Sequence, residues 1–344
     1  MLRALLLCLV LLGAQQAVSQ ERVLRLFNWS NYMAPDLLKR FEAETGIHVT
    51  LDVYDSNETM LAKLQAGGGG YDIVVPTGPT LSTMIRTGLL TKIDAPTLPN
   101  FRNVRATFAN PAFDPGRAYS VPYMYGITGI AYDTDKVPPG EVDDSWAVLL
   151  RPGPSVAGKI GMLNDVNEVF AAASYLLGQP VCPTSPAQGQ AVLDLLLKQK
   201  PDVLVYSSDN TVGRIAGGET AMQMMWNGAF HRANARKPSI RYVFPREGMT
   251  LWADSLVVPK GAPNLENAKV FLNWMMEPKN AAEASNFLGY NNAIDGSEAF
   301  LMESLRNDPA VNPPADKQAL LHLNAACDPA ARDIQERVWT RLRR

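Results

Sequence analysis

Apolar and polar positions repeat along the chain with two periods, one typical of strands and one typical of helices. The first run begins at Leu24 with apolar and aromatic residues, which predicts a buried strand. Pro35 then opens a predicted helix, and the break between the two is the polar and aromatic stretch Asn28-Trp29-Ser30-Asn31-Tyr32. Open α/β sheets bind ligands at the carboxyl ends of strands, so this stretch is a candidate binding segment.

Strand and helix patterns then follow each other in turn. Apolar residues at helical spacing predict helices over residues 36–44, 57–65 and 80–86. Strict alternation predicts a half-buried strand over residues 47–53, and an apolar run predicts a buried strand over residues 71–76. This order of strands and helices favours a doubly wound α/β domain.

A second α/β set lies between two long extended segments. Its predicted strands and helices span residues 159–163, 166–177, 187–198, 203–205 and 221–226. The extended segments are residues 119–132 and 251–259, and small-residue breaks in the first are expected of a crossover between domains. Two crossings without a linker predict a hinged clamshell.

The amino terminus and the composition bound the class of protein. A basic start, an apolar run over residues 4–13 and small residues before the cut predict a secretory signal over residues 1–19, cleaved after Ser19. The remaining chain of about 325 residues favours two domains. With 32 basic and 34 acidic residues the net charge is −2, which argues against nucleic-acid and anionic-membrane partners. We expect a soluble, exported monomer.

The cysteines indicate a candidate disulfide. Cleavage after Ser19 removes Cys8 and leaves Cys182 and Cys327. Two cysteines in an exported protein favour a bond between them. Two unpaired buried thiols are the alternative, because sequence does not show whether the two residues are close in space.

Aromatic residues and carboxylates recur at predicted strand and loop ends. A cation over a desolvated aromatic face gains about 2 kcal/mol, and a carboxylate offsets the loss of its water. The pattern therefore favours an organic cation as ligand. Two alternatives stay open: Trp29 and Tyr32 as ordinary core aromatics, and Asp254 as a structural carboxylate. The set consists of Trp29, Tyr32, Trp226, Trp252, Tyr290, Glu168 and Asp254.

Enzyme motifs are missing from the sequence. It has no Gly-x-Ser-x-Gly, no His-Glu-x-x-His and no Cys/His spacing for zinc. The glycine run at residues 67–70 is followed by a strand and by no Lys-Ser/Thr, which argues against a phosphate loop. Two carboxylates would suit a glycosidase, but nothing in the sequence fixes their separation. We expect no enzymatic activity, no cofactor and no metal.

Several segments carry a family resemblance. The most specific are Phe-Asn-Trp-Ser-Asn-Tyr-Met-Ala-Pro-Asp at residues 27–36 and Val-Tyr-Asp-Ser-Asn-Glu at 53–58. Tyr-Asp-Ile-Val-Val-Pro at 71–76, Val-Pro-Tyr-Met at 121–124 and Asn-Pro-Pro-Ala-Asp at 312–316 add to them. The chain resembles the periplasmic polyamine-binding proteins of bacterial ABC transporters, and looks closest to their putrescine-binding branch.

The resemblance implies a fold and a partner. The fold is a two-lobed clamshell of type II, in which each lobe is a mixed sheet flanked by helices. Residues 20–126 and 252–296 would form lobe 1, and residues 127–251 and 297–344 would form lobe 2. The protein would act in the periplasm, close around a diamine and deliver it to an inner-membrane ABC permease.

The resemblance also implies a ligand set, in which aromatics enclose the methylene chain and carboxylates take the charge. Asn31 and Ala229 depart from it, since acidic residues are expected at both positions. These departures leave open a monocationic or zwitterionic amine as ligand, and a periplasmic sensor remains a different class of function. The implied ligand-contacting residues are Trp29, Ser30, Asn31, Tyr32, Thr77, Glu168, Ser208, Trp226, Ala229, Trp252, Asp254 and Tyr290.

Overall fold

The computed structural model describes residues 22–67, 69–324 and 326–344. The predicted signal sequence, residues 1–19, lies outside the described residues. In the described ranges, no helix combines the length and the apolar character that crossing a membrane requires.

The strands confirm the predicted extended segments and are numbered in chain order. Strands β1–β11 span Val23–Trp29, His48–Tyr54, Ile73–Val74, Ser120–Asp133, Ile160–Met162, Val203–Tyr206, Met222–Trp226, Ile240–Val243, Met249–Val257, Asn291–Asn292 and Leu321–Leu323.

The helices lie between these strands, with short 3-10 turns in the connections. Helices α1–α14 span Pro35–Thr45, Asn57–Gln65, Gly78–Arg86, Ala106–Ala109, Ala147–Leu150, Val166–Leu177, Pro186–Gln199, Thr211–Ala216, Asn227–Arg236, Leu265–Met275, Pro278–Leu288, Glu303–Arg306, Ala315–Gln318 and Pro329–Arg343.

The strands pair in the order β2-β1-β3-β9-β4-β7-β5-β6, with parallel and antiparallel neighbours. The two longest strands hold the two halves together. The first part of β4 pairs with β9 from Ser120 to Ile127, and its second part pairs with β7 from Thr128 to Tyr132. The single strand β4 therefore forms part of the sheet in both halves, as expected of a segment that crosses between domains.

Buried side chains form two main cores, one on each side of this crossing. The first core takes residues from β1–β3, α1, α10 and α11, and includes Phe27, Phe41 and Phe271. The second takes residues from β5, β7, α6 and α7, and includes Phe170. Trp226 packs against both cores and against a smaller third cluster around α9. The lobe boundaries at residues 126/127, 251/252 and 296/297 stay a prediction.

Two strand predictions need correction. The predicted strand over residues 47–53 forms as β2 over His48–Tyr54, but the predicted half-burial is wrong: Leu51 is 39% exposed and Val53 is 54% exposed. The reason is position, because β2 is an edge strand of the sheet. The predicted strand over residues 71–76 shrinks to Ile73–Val74, since only those residues pair with β1.

The disulfide is confirmed. Cys182, between α6 and α7, is bonded to Cys327, just before α14. Next to it, the Gln335 side chain donates a hydrogen bond to the Val181 carbonyl oxygen. The disulfide therefore joins the start of α14 to the loop between α6 and α7.

We predict that reducing this disulfide lowers the free energy of unfolding by about 2–5 kcal/mol, because the bond restricts the unfolded chain. The bonded residues are 145 positions apart, so the restricted loop is long. Thermal unfolding with and without dithiothreitol measures the effect. A Cys182→Ser, Cys327→Ser variant is the control, since dithiothreitol should leave its melting temperature unchanged. An equal melting temperature for the oxidised and reduced protein would contradict the prediction.

Candidate functional site

A cavity of about 130 Å³ lies between the two main cores. All eleven residues of the predicted site line it, as does Ala229. They come from distant parts of the chain, and the fold brings them together. Their role as ligand contacts stays a prediction. The eleven are Trp29, Ser30, Asn31, Tyr32, Thr77, Glu168, Ser208, Trp226, Trp252, Asp254 and Tyr290.

Element ends place most of these side chains. Trp29 ends β1, and the turn after it puts Asn31 in the left-handed region with φ 56°. Trp226 ends β7 and Glu168 lies in the first turn of α6. The Asp165 side chain caps that helix by accepting hydrogen bonds from the backbone N–H groups of residues 167 and 168. Loops and helix starts thus converge on the cavity, as ligand sites of α/β folds do.

Four rings of the cavity wall form an edge-to-face series. Centroid distances are 6.4 Å between Trp29 and Trp226, 6.5 Å between Trp226 and Trp252, and 5.1 Å between Trp252 and Tyr290. Tyr32 continues the series, 5.7 Å from Tyr290. Trp29 and Tyr32 line a cavity, so they are not only packing residues of the core. Aromatic faces of this kind attract cations.

Glycine makes room for one of these rings. A Cβ on Gly228, in the first turn of α9, would lie 2.3 Å from Cδ1 of Tyr290. That distance is far shorter than a carbon–carbon contact, so the Tyr290 ring would have to move. Only glycine therefore lets the ring approach α9 as closely as it does.

We predict that Gly228→Ala lowers the free energy of unfolding by about 1–3 kcal/mol through overpacking. The sign is informative, because alanine in place of helical glycine ordinarily stabilises a protein by about 1 kcal/mol. Gly140→Ala is the control, since no atom of the described residues lies within 4 Å of its added Cβ. Urea denaturation measures both variants. A Gly228→Ala protein as stable as the wild type would show that Tyr290 is not held in this position.

Asp254 is the most constrained carboxylate of the cavity. Its Oδ2 accepts a hydrogen bond of 2.8 Å from the Tyr32 hydroxyl, and the residue is only 6% exposed. Its Oδ1 is buried and has no hydrogen-bond partner among the described residues. Burial raises the pKa of Asp254 to about 8, against the lowering effect of the Tyr32 hydrogen bond. A buried carboxylate with a free oxygen suits a cationic partner.

Glu168 has the same character on the other side of the cavity. It is 4% exposed, and no group in the described ranges bonds its buried Oε2. Burial, and then the nearby Asp165 carboxylate, raise the pKa of Glu168 well above its ordinary value. A positive charge in the cavity would lower that pKa again and would be held by the ionised group.

The two carboxylates flank Trp252. Residues 250, 252 and 254 lie on one face of β9, because side chains of a strand alternate between its faces. Thr250 is next to Glu168 and lowers its pKa. Thr250 and Asp254 lie two residues to either side of Trp252 along this strand, so Glu168, next to Thr250, and Asp254 lie on either side of Trp252. This arrangement offers two negative charges separated by an aromatic surface.

The structure adds cavity residues that sequence reasoning missed. Arg232 and Arg236 follow Ala229 at helical spacing, so placing Ala229 on a helix would have found them. Asp165 had a signal as well, since a helix start follows it directly. No sequence pattern indicated the other missed residues, because only the folded structure brings them to the cavity. The missed residues are Tyr54, Asp55, Asp165, Asp209, Asn210, Thr211, Val212, Arg232 and Arg236.

The two sides of the cavity touch at its rim. The Asn164 side chain, after β5, donates a hydrogen bond of 3.0 Å to Oδ2 of Asp55, after β2. Further out, Arg332 on α14 donates to the Thr83 hydroxyl on α3. These bonds join the two halves at places away from the crossing strands. In the described part of the chain, no group of three His, Cys, Asp or Glu side chains is arranged to hold a metal ion.

Two cores, a two-strand crossing and an aromatic cavity between them define a solute-binding protein. The chain belongs to the family of bacterial extracellular solute-binding proteins, which it matches over residues 36–313. Members bind solutes and carry out no reaction, in agreement with the expectation that this chain is not an enzyme.

The individual relatives that this chain resembles are polyamine-binding proteins. The putrescine-binding periplasmic protein SpuD of Pseudomonas aeruginosa is 33% identical, over 98% of this chain and 97% of its own. The spermidine/putrescine-binding periplasmic protein of Escherichia coli is 36% identical, over 89% and 87%. The solved structure of a putative spermidine/putrescine ABC transporter protein from Listeria monocytogenes has a TM-score of 0.88 at 28% identity, covering 94% of this chain and 99% of that one. The predicted fold class and family are confirmed.

Proposed function

We propose that this protein is a periplasmic receptor for a diamine of the putrescine type, which it delivers to an ABC importer. The observation that carries the proposal is the pair of buried carboxylates, Glu168 and Asp254, each with an oxygen that no described residue bonds, and with Trp252 between them. Each ammonium group of a diamine would face one carboxylate, and its methylene chain would lie on the rings.

Cavity size supports a small ligand. An apolar protein cavity of about 150 Å³ holds a benzene molecule, and this cavity measures about 130 Å³. Putrescine has as many non-hydrogen atoms as benzene. The longer polyamine spermidine has more non-hydrogen atoms, so the volume of this cavity favours the diamine.

The relatives support the transport role. The Pseudomonas aeruginosa and Escherichia coli relatives are named as periplasmic binding proteins for putrescine and for spermidine/putrescine, and the Listeria protein as a putative spermidine/putrescine ABC transporter. Delivery would follow closure of the two lobes on the ligand, with an inner-membrane permease recognising the closed form. Export with cleavage after Ser19, and action as a monomer, are part of the same proposal.

Titration calorimetry with putrescine, cadaverine, agmatine and spermidine tests the proposed function. We expect putrescine to bind with the highest affinity. Absence of heat with all four amines would overturn the diamine proposal. The permease step is tested separately, by stimulation of ATP hydrolysis when the loaded receptor is added to a reconstituted polyamine ABC transporter from the same organism. Tight putrescine binding without any such stimulation would favour the sensor alternative.

A further inference from the structure

Two arginines give one side of the cavity a positive charge. Ala229, Arg232 and Arg236 all line the cavity, and all three lie on α9. Their spacings of three and seven residues put them on one face of that helix. The ligand set implied by the family resemblance expects an acidic residue at position 229. Here α9 instead presents alanine and two guanidinium groups.

These charges are not neutralised nearby. Among the residues that the structure describes, neither Arg232 nor Arg236 forms a salt bridge, and Nε of Arg232 is buried without a hydrogen-bond partner. Asp209 lines the same cavity but pairs with neither of them. The Arg232 guanidinium lies beside the Tyr290 hydroxyl and works against the effect of burial, which raises the pKa of Tyr290 to about 12.

Tyr290 connects this positive region to the carboxylate end. Its ring packs against Gly228 in the first turn of α9, the helix that carries Arg232, and lies 5.7 Å from the ring of Tyr32, whose hydroxyl bonds Asp254. A ligand that extends past Asp254 along this wall would therefore reach Arg232. Like charges in a partly buried site repel each other far more strongly than in water.

We propose that Arg232 is a specificity-determining residue, which rejects amines that carry a third ammonium group beyond Asp254. The inference rests on the proposed diamine function and adds the basis of its selectivity. Glu168 and Asp254 accept two ammonium groups, and the guanidinium of Arg232 opposes another one. Specificity is then achieved by repulsion of the longer ligand as well as by attraction of the shorter one.

The test compares putrescine and spermidine by titration calorimetry on wild type and Arg232→Gln. We expect the wild type to prefer putrescine, and the variant to reduce the ratio of the two dissociation constants by about tenfold or more. Most of that change should come from tighter spermidine binding. Arg232→Lys keeps the positive charge and should keep the preference. Arg246→Gln removes an exposed charge outside the cavity and should leave the ratio as it is.

Three results would overturn the inference in different ways. A folded Arg232→Gln protein with the wild-type ratio removes Arg232 from selectivity while leaving the diamine function intact. Wild type that binds γ-aminobutyrate more tightly than putrescine, and loses it in Arg232→Gln, would mean that the arginine attracts a carboxylate. Wild type that binds neither amine overturns the proposed function itself. If Arg232→Gln does not fold, Arg236→Gln on the same helix face is expected to shift the ratio in the same direction, and an unchanged ratio there counts against the inference.

Discussion

Replacing Asp254 by asparagine is expected to weaken putrescine binding at pH 8 by about a hundredfold or more, since removing one partner of a desolvated charge pair costs about 2–5 kcal/mol. Asparagine keeps the shape and can still accept the hydrogen bond from Tyr32. The loss would thus report the charge. Titration calorimetry on wild type and variant at the same pH measures it.

A surface carboxylate provides the matched control. Asp143 pairs with Arg246, and its side chain is 65% exposed, so Asp143→Asn makes the same change of net charge outside the cavity. Its effect on affinity should stay within about twofold, because surface ion pairs contribute little. Equal affinities of Asp254→Asn and wild type would remove Asp254 from the ligand site. Loss of affinity in both variants would point to a general effect of charge.

Putrescine affinity is expected to rise by about a hundredfold between pH 6 and pH 8, because Asp254 must ionise and each pH unit below its pKa costs about a factor of ten. The pKa of about 8 for this buried carboxyl sets the window. The raised pKa values of Glu168 and Asp165 make the rise steeper, since both groups ionise in the same cavity. The ligand stays charged throughout, with amine pKa values near 10 as for lysine, about 10.4.

Stability should follow the opposite trend in the ligand-free protein. Between the ordinary carboxyl pKa of 3.8 and the folded-state value of about 8, Asp254 keeps a proton that the unfolded chain releases. Folding stability therefore falls as pH rises through this window. Thermal unfolding at pH 5 and pH 8, without and with putrescine, measures both trends. Affinity that does not change between pH 6 and pH 8 would contradict the raised pKa of Asp254.

The link between the pKa of Asp254 and folding stability also distinguishes loss of charge from misfolding in the Asp254→Asn experiment. Asparagine does not ionise, so the ligand-free Asp254→Asn protein should be more stable than wild type at pH 8 by several kcal/mol. A variant that binds more weakly and yet melts at a higher temperature has kept its fold.

Local signals in the sequence predicted much of the fold. The helix over residues 166–177 was predicted with the bounds it has, because Asp165 caps its start and Gly178 ends it in the left-handed region. The position of Trp29 at the end of β1 was also predictable from local sequence, because the apolar run stops there. These features depend on neighbours in the chain.

Features that depend on strand order were out of reach. Alternation in β2 predicted a buried face, yet Leu51 and Val53 are exposed because the strand lies at an edge. The unbonded oxygens of Glu168 and Asp254, and the direction of Arg232 into the cavity, follow from which elements meet across the cleft. Sequence reasoning had the aromatic and acidic residues but no means of placing α9 opposite them.

The three indoles of the cavity have a spectroscopic consequence. The chain contains six tryptophans, and three of them, Trp29, Trp226 and Trp252, form neighbouring pairs at 6.4 and 6.5 Å. Their emission depends on the polarity around the rings, and their close spacing couples their near-ultraviolet transitions. Intrinsic fluorescence and circular dichroism can therefore report occupancy directly, so an unlabelled protein would serve as its own optical sensor for ranking amines.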